Sequence, residues 1–496
     1  MLSTVSSLSQ MLRDAMARHG REGRTALWGR SGPISYEQLT VRIDAYAGAH
    51  RDLALGEPVG ILASRSAESI ALFFGIMQAG GCPSFLEPGL DADAIRSRMD
   101  TGGMRRVLVE GEAEALATDL RDQETDVRRL ADLGLTAAPS KSPGRHSPPL
   151  TATSPAMQLF TSGSTGPPKR VQLTHGNLMC HATGIIARTT LTPTDRLLHV
   201  MPLHHTNGVN NQLIAPLIAG ASIALVERFQ ADAIEDQIGE YRATYMTGVP
   251  TMYSRTLPHL HDRDARRSLR FLRCGSAPIT VGLHRQIEEA FGVPLVVSYG
   301  LSEATCTSTM NPPGARRLGS VGTALPDQDV RLFKAATLEP VPPGEEGEVC
   351  ISGPCVMSSS VEPLSEQSVR DGWLRTGDLG RFDADDYLFI TGRIKDVIIR
   401  GGENLSPLLI EDAVSRHPAV RFCCVVGGPH PDLGEVPVAF VVLRDGQTLH
   451  PADLVPFVAQ RLPRIYRPDI RLVATLPETS MGKIDRRAVR DTLLTD

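Results

Sequence analysis

The residues between Thr161 and Lys169 have the composition of an anion-binding loop. Glycine lets backbone amides approach a ligand closely, hydroxyls and N–H groups can surround an anion, and a lysine adds a point charge. No Gly-Lys-Ser/Thr run follows, so the predicted phosphate site is not a Walker loop. The same composition is typical of a solvated linker, and the stretch alone leaves both interpretations open. The residues of this stretch that could contact phosphate are Thr161, Ser162, Gly163, Ser164, Thr165, Gly166 and Lys169.

Two further groups of small and polar residues each follow an apolar run that predicts a buried strand. The first group is Gly275, Ser276 and Ala277, and the second is Tyr299, Gly300, Ser302 and Glu303. Small residues in the first group would let a flat ring lie against the backbone. The second group offers an aromatic face, a glycine turn, a hydroxyl and a carboxylate at a strand's carboxyl end, where α/β proteins bind ligands. Taken alone, the second group could also be a simple turn.

Charged residues and glycines recur in the last quarter of the chain. Asp378 follows a predicted tight turn, where its carboxylate could bind ribose hydroxyls or could cap the turn. Arg393 and Lys395 precede the glycine pair Gly401 and Gly402 at a predicted domain boundary. Surface charges are usually solvated, so it is the order and joint fit of these groups that favour a site.

Lysine is rare in this chain. Only five of the 51 basic residues are lysine, at positions 141, 169, 334, 395 and 483. Where arginine serves almost everywhere, a retained lysine can mark a site that needs a compact ammonium rather than a planar fork. Lys483 lies on a loop before a predicted helix, which is also an ordinary place for a surface lysine.

Composition excludes several classes of protein. The 496 residues predict more than one domain, and 41% hydrophobic with 22% charged residues is ordinary for a soluble globular protein. A formal net charge of -5 argues against non-specific nucleic-acid binding. Residues 1–20 predict a docked amphipathic helix, with no signal peptide or membrane span. The eight scattered cysteines show no metal-ligand spacing and favour a reducing, cytoplasmic setting.

Hydrophobic periodicity predicts two kinds of architecture. Short apolar runs alternate with helical patterns through the first three hundred residues, as in βαβ units with parallel sheets. The period then becomes two at 347–352 and 387–399, which indicates an antiparallel or barrel-like subdomain. We predict an α/β protein whose large domain spans 1–392 and whose small α+β domain spans 393–496. Strands are predicted at 58–62, 106–109, 196–200, 221–226, 294–297, 420–427 and 436–443, and helices at 67–81, 281–291, 407–417 and 449–462.

These motifs, in this order, resemble those of the adenylate-forming superfamily of acyl-CoA synthetases, non-ribosomal adenylation domains and luciferases. The resemblance runs from Ser35-Tyr36-Glu37-Gln38-Leu39 to Gly482-Lys483. The run RGGENLSP, which begins at Arg400, is most similar to the acyl-CoA and aryl-CoA ligase branch. Arg170 departs from the family, which usually has glycine after the loop lysine.

The resemblance implies a nucleotide site. Residues from Thr161 to Lys169 would hold the β- and γ-phosphates of ATP. Asp378 and Arg393 would bind the ribose. The adenine would be enclosed by the residues of the two strand-end groups, Gly275, Ser276, Ala277, Tyr299 and Gly300.

The resemblance also implies catalytic roles. Ser302 would contact the α-phosphate, and Glu303 would hold Mg²⁺. Lys483 would reach the substrate carboxylate and the α-phosphate during adenylation, and His205 would flank the acyl group. Lys395 occupies the hinge position of a mobile C-terminal lid domain, whose rotation would bring Gly401 and Gly402 to the thiol tunnel.

The implied activity is that of an ATP-dependent carboxylic acid–CoA ligase that forms an acyl-adenylate, releases pyrophosphate and then AMP. ATP, Mg²⁺ and coenzyme A are the expected cofactors, and a small-molecule carboxylic acid is the expected partner. One alternative makes only the adenylate, passes it to a partner ligase, or loads the pantetheine of an acyl carrier protein. A remote alternative is a catalytically silent nucleotide- or acyl-binding scaffold.

The resemblance limits the acid only broadly. His205 stands where amino-acid-activating relatives have aspartate, so we expect an aryl, alicyclic or aliphatic acid rather than an ordinary α-amino acid. The segments expected to line the acyl pocket are 209–213, 247–250 and 301–307, which mix small, apolar and hydroxyl residues.

Overall fold

A computed structural model describes residues 6–29, 32–121, 125–133, 149–161, 169–335, 337–357, 369–479 and 482–493. Residues 162–168, which include most of the predicted phosphate-binding loop, lie outside these ranges, as does 134–148 of the connection before it. In the ranges described, no helix is both long enough and apolar enough to cross a bilayer.

The first three hundred residues fold into an α/β region, as the alternating pattern predicts. Its helices are α1 Leu8–Arg21, α2 Tyr36–Ala49, α3 Ala67–Gln78, α4 Ala92–Gly102, α5 Ala117–Leu120, α6 His175–Thr189, α7 Ala215–Ala219, α8 Ile234–Tyr241, α9 Pro250–Thr256 and α10 Val281–Phe291. Its strands are β1 Thr25–Gly29, β2 Gly32–Ser35, β3 Pro58–Leu62, β4 Cys82–Phe85, β5 Arg106–Val109, β6 Asp126–Arg129, β7 Pro155–Thr161, β8 Lys169–Thr174, β9 Arg196–His199, β10 Ser222–Leu225, β11 Tyr245–Gly248, β12 Phe271–Cys274, β13 Leu295–Tyr299, β14 Thr309–Met310 and β15 Thr323–Ala324.

Two sheets of this region are built on parallel strands. The nine-stranded sheet has the order β15-β14-β13-β12-β11-β9-β10-β1-β2, and the strands from β13 to β1 in that order run parallel. The four-stranded sheet β4-β3-β5-β6 is parallel throughout. Buried strands of this kind explain the continuous apolar runs in the sequence. Parallel strands also bring their carboxyl ends to one edge, where a site can form.

The barrel-like subdomain predicted from period-two patterning is an antiparallel five-stranded sheet. Its strands are β16 Asp329–Phe333, β17 Gly347–Ser352, β18 Val369–Arg370, β19 Trp373–Phe382 and β20 Leu388–Arg393. The predicted period-two run at 387–399 is interrupted, because a 3₁₀ turn at Ile394–Asp396 separates β20 from the next strand. Asp378 lies inside β19 rather than after a tight turn, which corrects the sequence prediction.

The last hundred residues form a separate α+β unit with its own core. Its strands are β21 Ile398–Arg400, β22 Glu403–Leu405, β23 Val420–His430, β24 Gly434–Leu443 and β25 Asp469–Leu472, and its helices are α11 Pro407–Ser415, α12 Pro451–Ala459 and α13 Arg486–Thr492. The long β23–β24 hairpin carries the apolar side chains that α11 and α12 cover. The domain boundary at 392/393 stays a prediction.

Most predicted elements are confirmed, with ends that differ by a few residues. The helix predicted at 67–81 ends at Gln78, because Gly80 adopts a φ of +97° that a helix does not allow. Ser66 begins this helix with a capping box, which the sequence interpretation did not use. The helix predicted at 449–462 spans only Pro451–Ala459.

The close packing of α3 on α2 depends on a glycine. A Cβ added to Gly75 in α3 would lie 2.5 Å from the Cβ of Tyr46 and 3.0 Å from the amide nitrogen of Ala47 in α2. A Cβ added to Gly48, also in α2, would meet no atom within 4 Å. The two positions therefore separate the packing role of glycine from its effect on helix propensity.

We expect Gly75→Ala to lower the free energy of unfolding by about 1–3 kcal/mol, because backbone and Cβ atoms of α2 must move apart. The matched variant Gly48→Ala should instead raise it by about 0.5–1 kcal/mol, since alanine favours the helix and meets no neighbour. Urea unfolding followed by circular dichroism measures both. Equal midpoints for the two variants would contradict the packing of α2 on α3.

Candidate active site

A buried carboxylate, Asp378, lies at the centre of the candidate site. The hydroxyl of Tyr299 donates to Oδ2 of Asp378 at 2.7 Å, and Nε of Arg393 donates to Oδ1 at 2.5 Å. The Asp378 side chain is 7% exposed, whereas that of Arg393 is 50% exposed. Each carboxylate oxygen has a second lone pair, so Asp378 can accept further hydrogen bonds from a ligand.

Asp378 links two sheets through its hydrogen bonds to Tyr299 and Arg393. Tyr299 is the last residue of β13 in the nine-stranded sheet, and Arg393 is the last residue of β20 in the antiparallel sheet. Burial raises the pKa of Tyr299, and the neighbouring Asp378 charge raises it further, so the phenol stays a donor. Burial works to lower the pKa of Arg393, but the Asp378 charge and hydrogen bond outweigh it.

The first strand-end group lies against the second. A Cβ on Gly275 would lie 2.9 Å from Oγ and 3.2 Å from the carbonyl oxygen of Ser298, the residue before Tyr299. Ser276 follows with a φ of +66°, and its side chain is exposed, as is expected of a residue on the edge of a ligand site. The predicted grouping of Gly275, Ser276 and Ala277 with Tyr299 is therefore consistent with the geometry.

The chain turns sharply after Tyr299. A Cβ on Gly300 would lie 2.2 Å from the carbonyl oxygen of Cys306, so only glycine fits this position. Ser302 and Glu303 lie in a 3₁₀ turn, and the amide of Cys306 closes the segment with a 3.0 Å bond to the carbonyl oxygen of Leu301. The hydroxyl of Ser302 and the carboxylate of Glu303 are thus held beyond the carboxyl end of β13.

The two ends of the predicted phosphate-binding loop lie in a hairpin. Thr161 and Lys169 are paired residues of β7 and β8, and the hydroxyl of Thr161 donates to the carbonyl oxygen of Lys169 at 3.5 Å. Strand β8 lies beside the 3₁₀ turn that carries Glu303. Arg170 continues the ladder opposite Phe160, so the loop begins and ends within the hairpin. Ser162, Gly163, Ser164, Thr165 and Gly166 lie outside the described residues.

Lys483 reaches this region from the C-terminal unit. The hydroxyl of Thr251 on α9 donates to the carbonyl oxygen of Gly482, and Arg255, one turn later, forms an ion pair with Glu478. Burial, together with the positive charge of Arg393, lowers the pKa of Lys483 to about 8. Lys483 is therefore close enough to Arg393 to be influenced by its charge, and its catalytic role stays a prediction.

His205 is close enough to Lys483 to be influenced by its charge. Burial, together with the charges of His204 and Lys483, lowers the pKa of His205 to about 2, so the imidazole is neutral at physiological pH. Its ring centroid lies 4.2 Å from that of His204. A neutral ring can pack against an acyl group but is not a charged catalyst.

The predicted hinge residue follows Arg393 closely. Lys395 lies in the 3₁₀ turn Ile394–Asp396, and burial followed by the charge of Arg393 lowers its pKa, with a smaller contribution from Lys169. Gly401 and Gly402 form the exposed turn of the β21–β22 hairpin, with φ angles of +58° and +88°. Cβ atoms at the two glycines would meet only Leu433 within 4 Å, so this arrangement does not bring them against the site.

Two contacting residues were missed in the sequence, whereas Cys306 lies in the predicted pocket segment 301–307. Thr251 and Arg255 hold the Lys483 segment, and they lie four residues apart on one face of α9. Cys306 is close enough to Lys483 for each to influence the pKa of the other. The i, i+4 spacing was visible in the sequence, but nothing in it identified the partner more than two hundred residues away.

The described residues do not contain a ready-made metal cluster. Among them, no group of three or more His, Cys, Asp or Glu side chains could hold an ion. A divalent cation held by Glu303 would therefore depend on one carboxylate together with ligand oxygens and water, which is how Mg²⁺ is usually bound beside phosphates.

Comparison with known proteins gives a consistent result. The sequence model described as AMP-binding enzyme matches residues 12–359, and that of the AMP-binding enzyme C-terminal domain matches 409–483. A sulfoacetate–CoA ligase of Cupriavidus necator is 33% identical over 89% of this chain and 88% of its own length. An indoleacetate–CoA ligase of Aromatoleum aromaticum is 32% identical over 94% and 95%. The crystal structure of ATP-bound MatB from Rhodopseudomonas palustris has a TM-score of 0.87 at 29% identity, over 96% and 98%.

The lowered pKa of Lys483 gives a direct test of the site's electrostatics. Amine-reactive acylation requires the neutral amine, so modification of Lys483 should rise with pH through a midpoint near 8. Lys334 is the matched control, because its hydrogen bond to Glu339 raises the pKa. Pulse labelling and peptide mass spectrometry resolve the two sites, since the chain has only five lysines. A midpoint near 10.5 for Lys483 would contradict its burial at the site.

Proposed function

The chain belongs to the family of AMP-binding enzymes and is an AMP-forming carboxylic acid–CoA ligase, and we propose that the site around Asp378 carries its chemistry. The observation that supports this assignment is the approach of Lys483 to the Asp378–Arg393 pair at the carboxyl end of β13. The ligase uses ATP and coenzyme A to activate a small-molecule carboxylic acid through an acyl-adenylate.

We assign the nucleotide contacts from the sheet edge outward. The adenine lies between Tyr299 with Gly300 and the strand-end group Gly275, Ser276 and Ala277. The ribose hydroxyls donate to Asp378, whose lone pairs are not exhausted by Tyr299 and Arg393. Arg393 also offers donors on its exposed side to the ribose. The β- and γ-phosphates contact Lys169, Thr161 and the loop between them.

The first half-reaction joins two anions, so its barrier is dominated by charge. A carboxylate oxygen of the acid forms a bond to the α-phosphorus as the bond from that phosphorus to the pyrophosphate oxygen breaks. Lys483 contacts both the carboxylate and the α-phosphate, and Ser302 donates to the α-phosphate. Donors fixed in advance stabilise the charge that accumulates in the transition state, so no general base is needed.

Glu303 is the proposed ligand for Mg²⁺. It is held near β8, where Lys169 marks the phosphate side of the site. Bound there, Mg²⁺ would neutralise phosphate charge and help the pyrophosphate to leave.

The second half-reaction needs a different arrangement of the C-terminal unit. In the described arrangement Lys483 faces the site and Gly401 with Gly402 is exposed. We propose that rotation about Lys395 withdraws Lys483 and brings the glycines to the site, where the absence of side chains leaves room for pantetheine. The thiol of coenzyme A then attacks the acyl carbonyl, and AMP leaves.

We also propose a cytoplasmic location and coenzyme A, rather than a carrier protein, as the acceptor. All eight cysteines are free thiols, and seven of them are buried, which suits a reducing compartment.

His205 is proposed to flank the acyl group as a neutral ring.

Lys483→Ala should separate the two half-reactions. We expect at least about a 100-fold loss of acid-dependent ATP–pyrophosphate exchange, because a cation of the transition state is removed. Thiolysis of a preformed acyl-adenylate by coenzyme A should fall less than about threefold, since Lys483 is withdrawn in that step. Lys334→Ala is the control, because that lysine pairs with Glu339 on the surface. Equal losses in both half-reactions would contradict the role given to Lys483.

Glu303→Gln tests the metal assignment. The variant keeps the shape of the side chain but loses its charge, so the Mg²⁺ concentration for half-maximal exchange should rise by at least about tenfold. Glu339→Gln is a surface control that should leave it unchanged. The assignment fails if Glu303→Gln shows the wild-type Mg²⁺ dependence.

A further inference from the structure

Arg273 is an arginine whose side chain is fully buried. It lies in β12, and 1% of the residue is exposed, which makes it the largest fully buried side chain of the described residues. Its neighbours on the sheet are Thr247 of β11 and Val296 of β13, at the same level. Taking a guanidinium ion out of water is costly unless a partner compensates for its charge.

The described part of the chain supplies no such compensation. Nε and Nη2 of Arg273 are buried and have no hydrogen-bond partner among the described residues, and Arg273 forms no ion pair with them. These two nitrogens form one edge of the guanidinium, with parallel N–H bonds. That edge is the one that binds a carboxylate or sulfonate through two oxygens.

Other buried arginines in this protein are compensated. Arg65 donates to the carbonyl oxygens of four residues, His199, Val200, Met201 and Val226. Arg266, which is 6% exposed, also has two buried nitrogens without a hydrogen bond, but its charge is offset by the carboxylate of Glu235 at 3.2 Å. Arg273 therefore differs from the structural arginines of the same chain in lacking an anion or a set of carbonyls.

The surroundings of Arg273 are polar and also incomplete. The hydroxyls of Tyr245 and Thr247 are buried without a partner among the described residues, as are both ring nitrogens of His181. The positive charge of Arg273 contributes to the low pKa of His181, after burial, so the two side chains are close. Arg273 is therefore one of several buried polar groups in this region whose hydrogen-bonding capacity the described residues leave unused.

Arg273 lies close to the reacting centre. Burial raises the pKa of Cys306, whereas the positive charges of Arg273 and Lys483 both act to lower it. Thr247, level with Arg273, belongs to the strand that leads into α9, where Thr251 holds the Lys483 segment. The sequence predicts 247–250 and 301–307 as segments of the acyl pocket, and Cys306, which both cations influence, belongs to the second of these segments.

We propose that Arg273 binds a second anionic group on the acid, so that the enzyme activates short dianionic acids, either dicarboxylic acids or sulfonated carboxylic acids. One carboxylate lies at Lys483 and reacts with ATP, while the other anion receives the Nε and Nη2 donors. The acid must be short, because Thr247 pairs with Arg273 and, only four residues later, Thr251 binds the carbonyl oxygen of Gly482 next to Lys483. This assignment rests on the proposed function, and it makes Arg273 a specificity-determining residue rather than a catalytic one.

Pairs of acids that differ only in the second charge test this assignment. ATP–pyrophosphate exchange is measured with malonate against propionate, succinate against butyrate, and sulfoacetate against acetate. We expect kcat/KM for the best dianionic acid to exceed that for the matching monocarboxylate by at least about 100-fold. The reason is that an acid without the second anionic group leaves the buried Arg273 cation unpaired. Wild-type enzyme that prefers the monocarboxylate in all three pairs would overturn the proposal.

Arg273→Met should remove this preference. We expect kcat/KM for the dianionic acid to fall by about 100-fold, while that for the monocarboxylate changes less than about threefold. Arg266→Met is the matched control, since it removes a buried arginine that already has an acidic partner. It should lower thermal stability and leave the ratio of the two acids unchanged. A wild-type ratio in Arg273→Met would overturn the proposal.

A binding measurement on the wild-type protein tests the proposal even if Arg273→Met does not fold. It also distinguishes a failure of this proposal from a failure of the proposed ligase function. The same dianionic acids should raise the melting temperature of the wild-type protein and should raise that of Arg273→Lys less, because lysine lacks the two-donor edge. If no acid supported ATP–pyrophosphate exchange, the proposed function of the site would be contradicted. Selective stabilisation by dianionic acids would still support the proposal that Arg273 binds an anion. Equal stabilisation of both proteins by either class of acid would contradict it.

Discussion

The ion pair between Asp378 and Arg393 is the interaction on which the site depends. Asp378 is buried, so its charge requires the two donors that it receives from Tyr299 and Arg393. Those donors end β13 and β20, which belong to different sheets. The carboxylate therefore links the nine-stranded sheet to the antiparallel sheet, immediately before the C-terminal unit begins.

Charge explains why the surrounding groups are mostly cationic. An acid and ATP repel each other, and their reaction concentrates more negative charge at the α-phosphorus. The charge of Arg393 lowers the pKa of both Lys395 and Lys483, and the charge of Lys169 also contributes to the lowered pKa of Lys395. An ammonium is compact and can follow phosphate oxygens as they move, which suits lysine in a chain that otherwise uses arginine. In the role we propose for it, Arg273 of β12 adds a further positive charge at the predicted acyl pocket.

The sequence predicted the elements better than the contacts between them. Strands such as β3 and the helix α10 were predicted with their observed ends, because apolar runs and periodicity are local properties. The order of the motifs also predicted that Tyr299, Asp378, Arg393 and Lys483 would meet. The capping of α3 and the interruption after β20 were not predicted. Both are local features of a few residues, whereas hydrophobic periodicity is assessed over a longer stretch of sequence. The periodic pattern could not identify Arg273, because its burial depends on how distant segments pack around β12. It could not identify Thr251 either, because the bond from Thr251 joins residues far apart in the chain.

The most direct test of the account follows the oxygen of the acid. With an acid labelled with ¹⁸O in both carboxylate oxygens, complete turnover with ATP and coenzyme A should transfer one ¹⁸O into AMP. Mass spectrometry of the nucleotide and of pyrophosphate detects this transfer. Label in the α-phosphate of AMP, and none in pyrophosphate, is the predicted result, because the carboxylate attacks the α-phosphorus. Unlabelled AMP, or label in inorganic phosphate or pyrophosphate, would contradict an acyl-adenylate formed at this site.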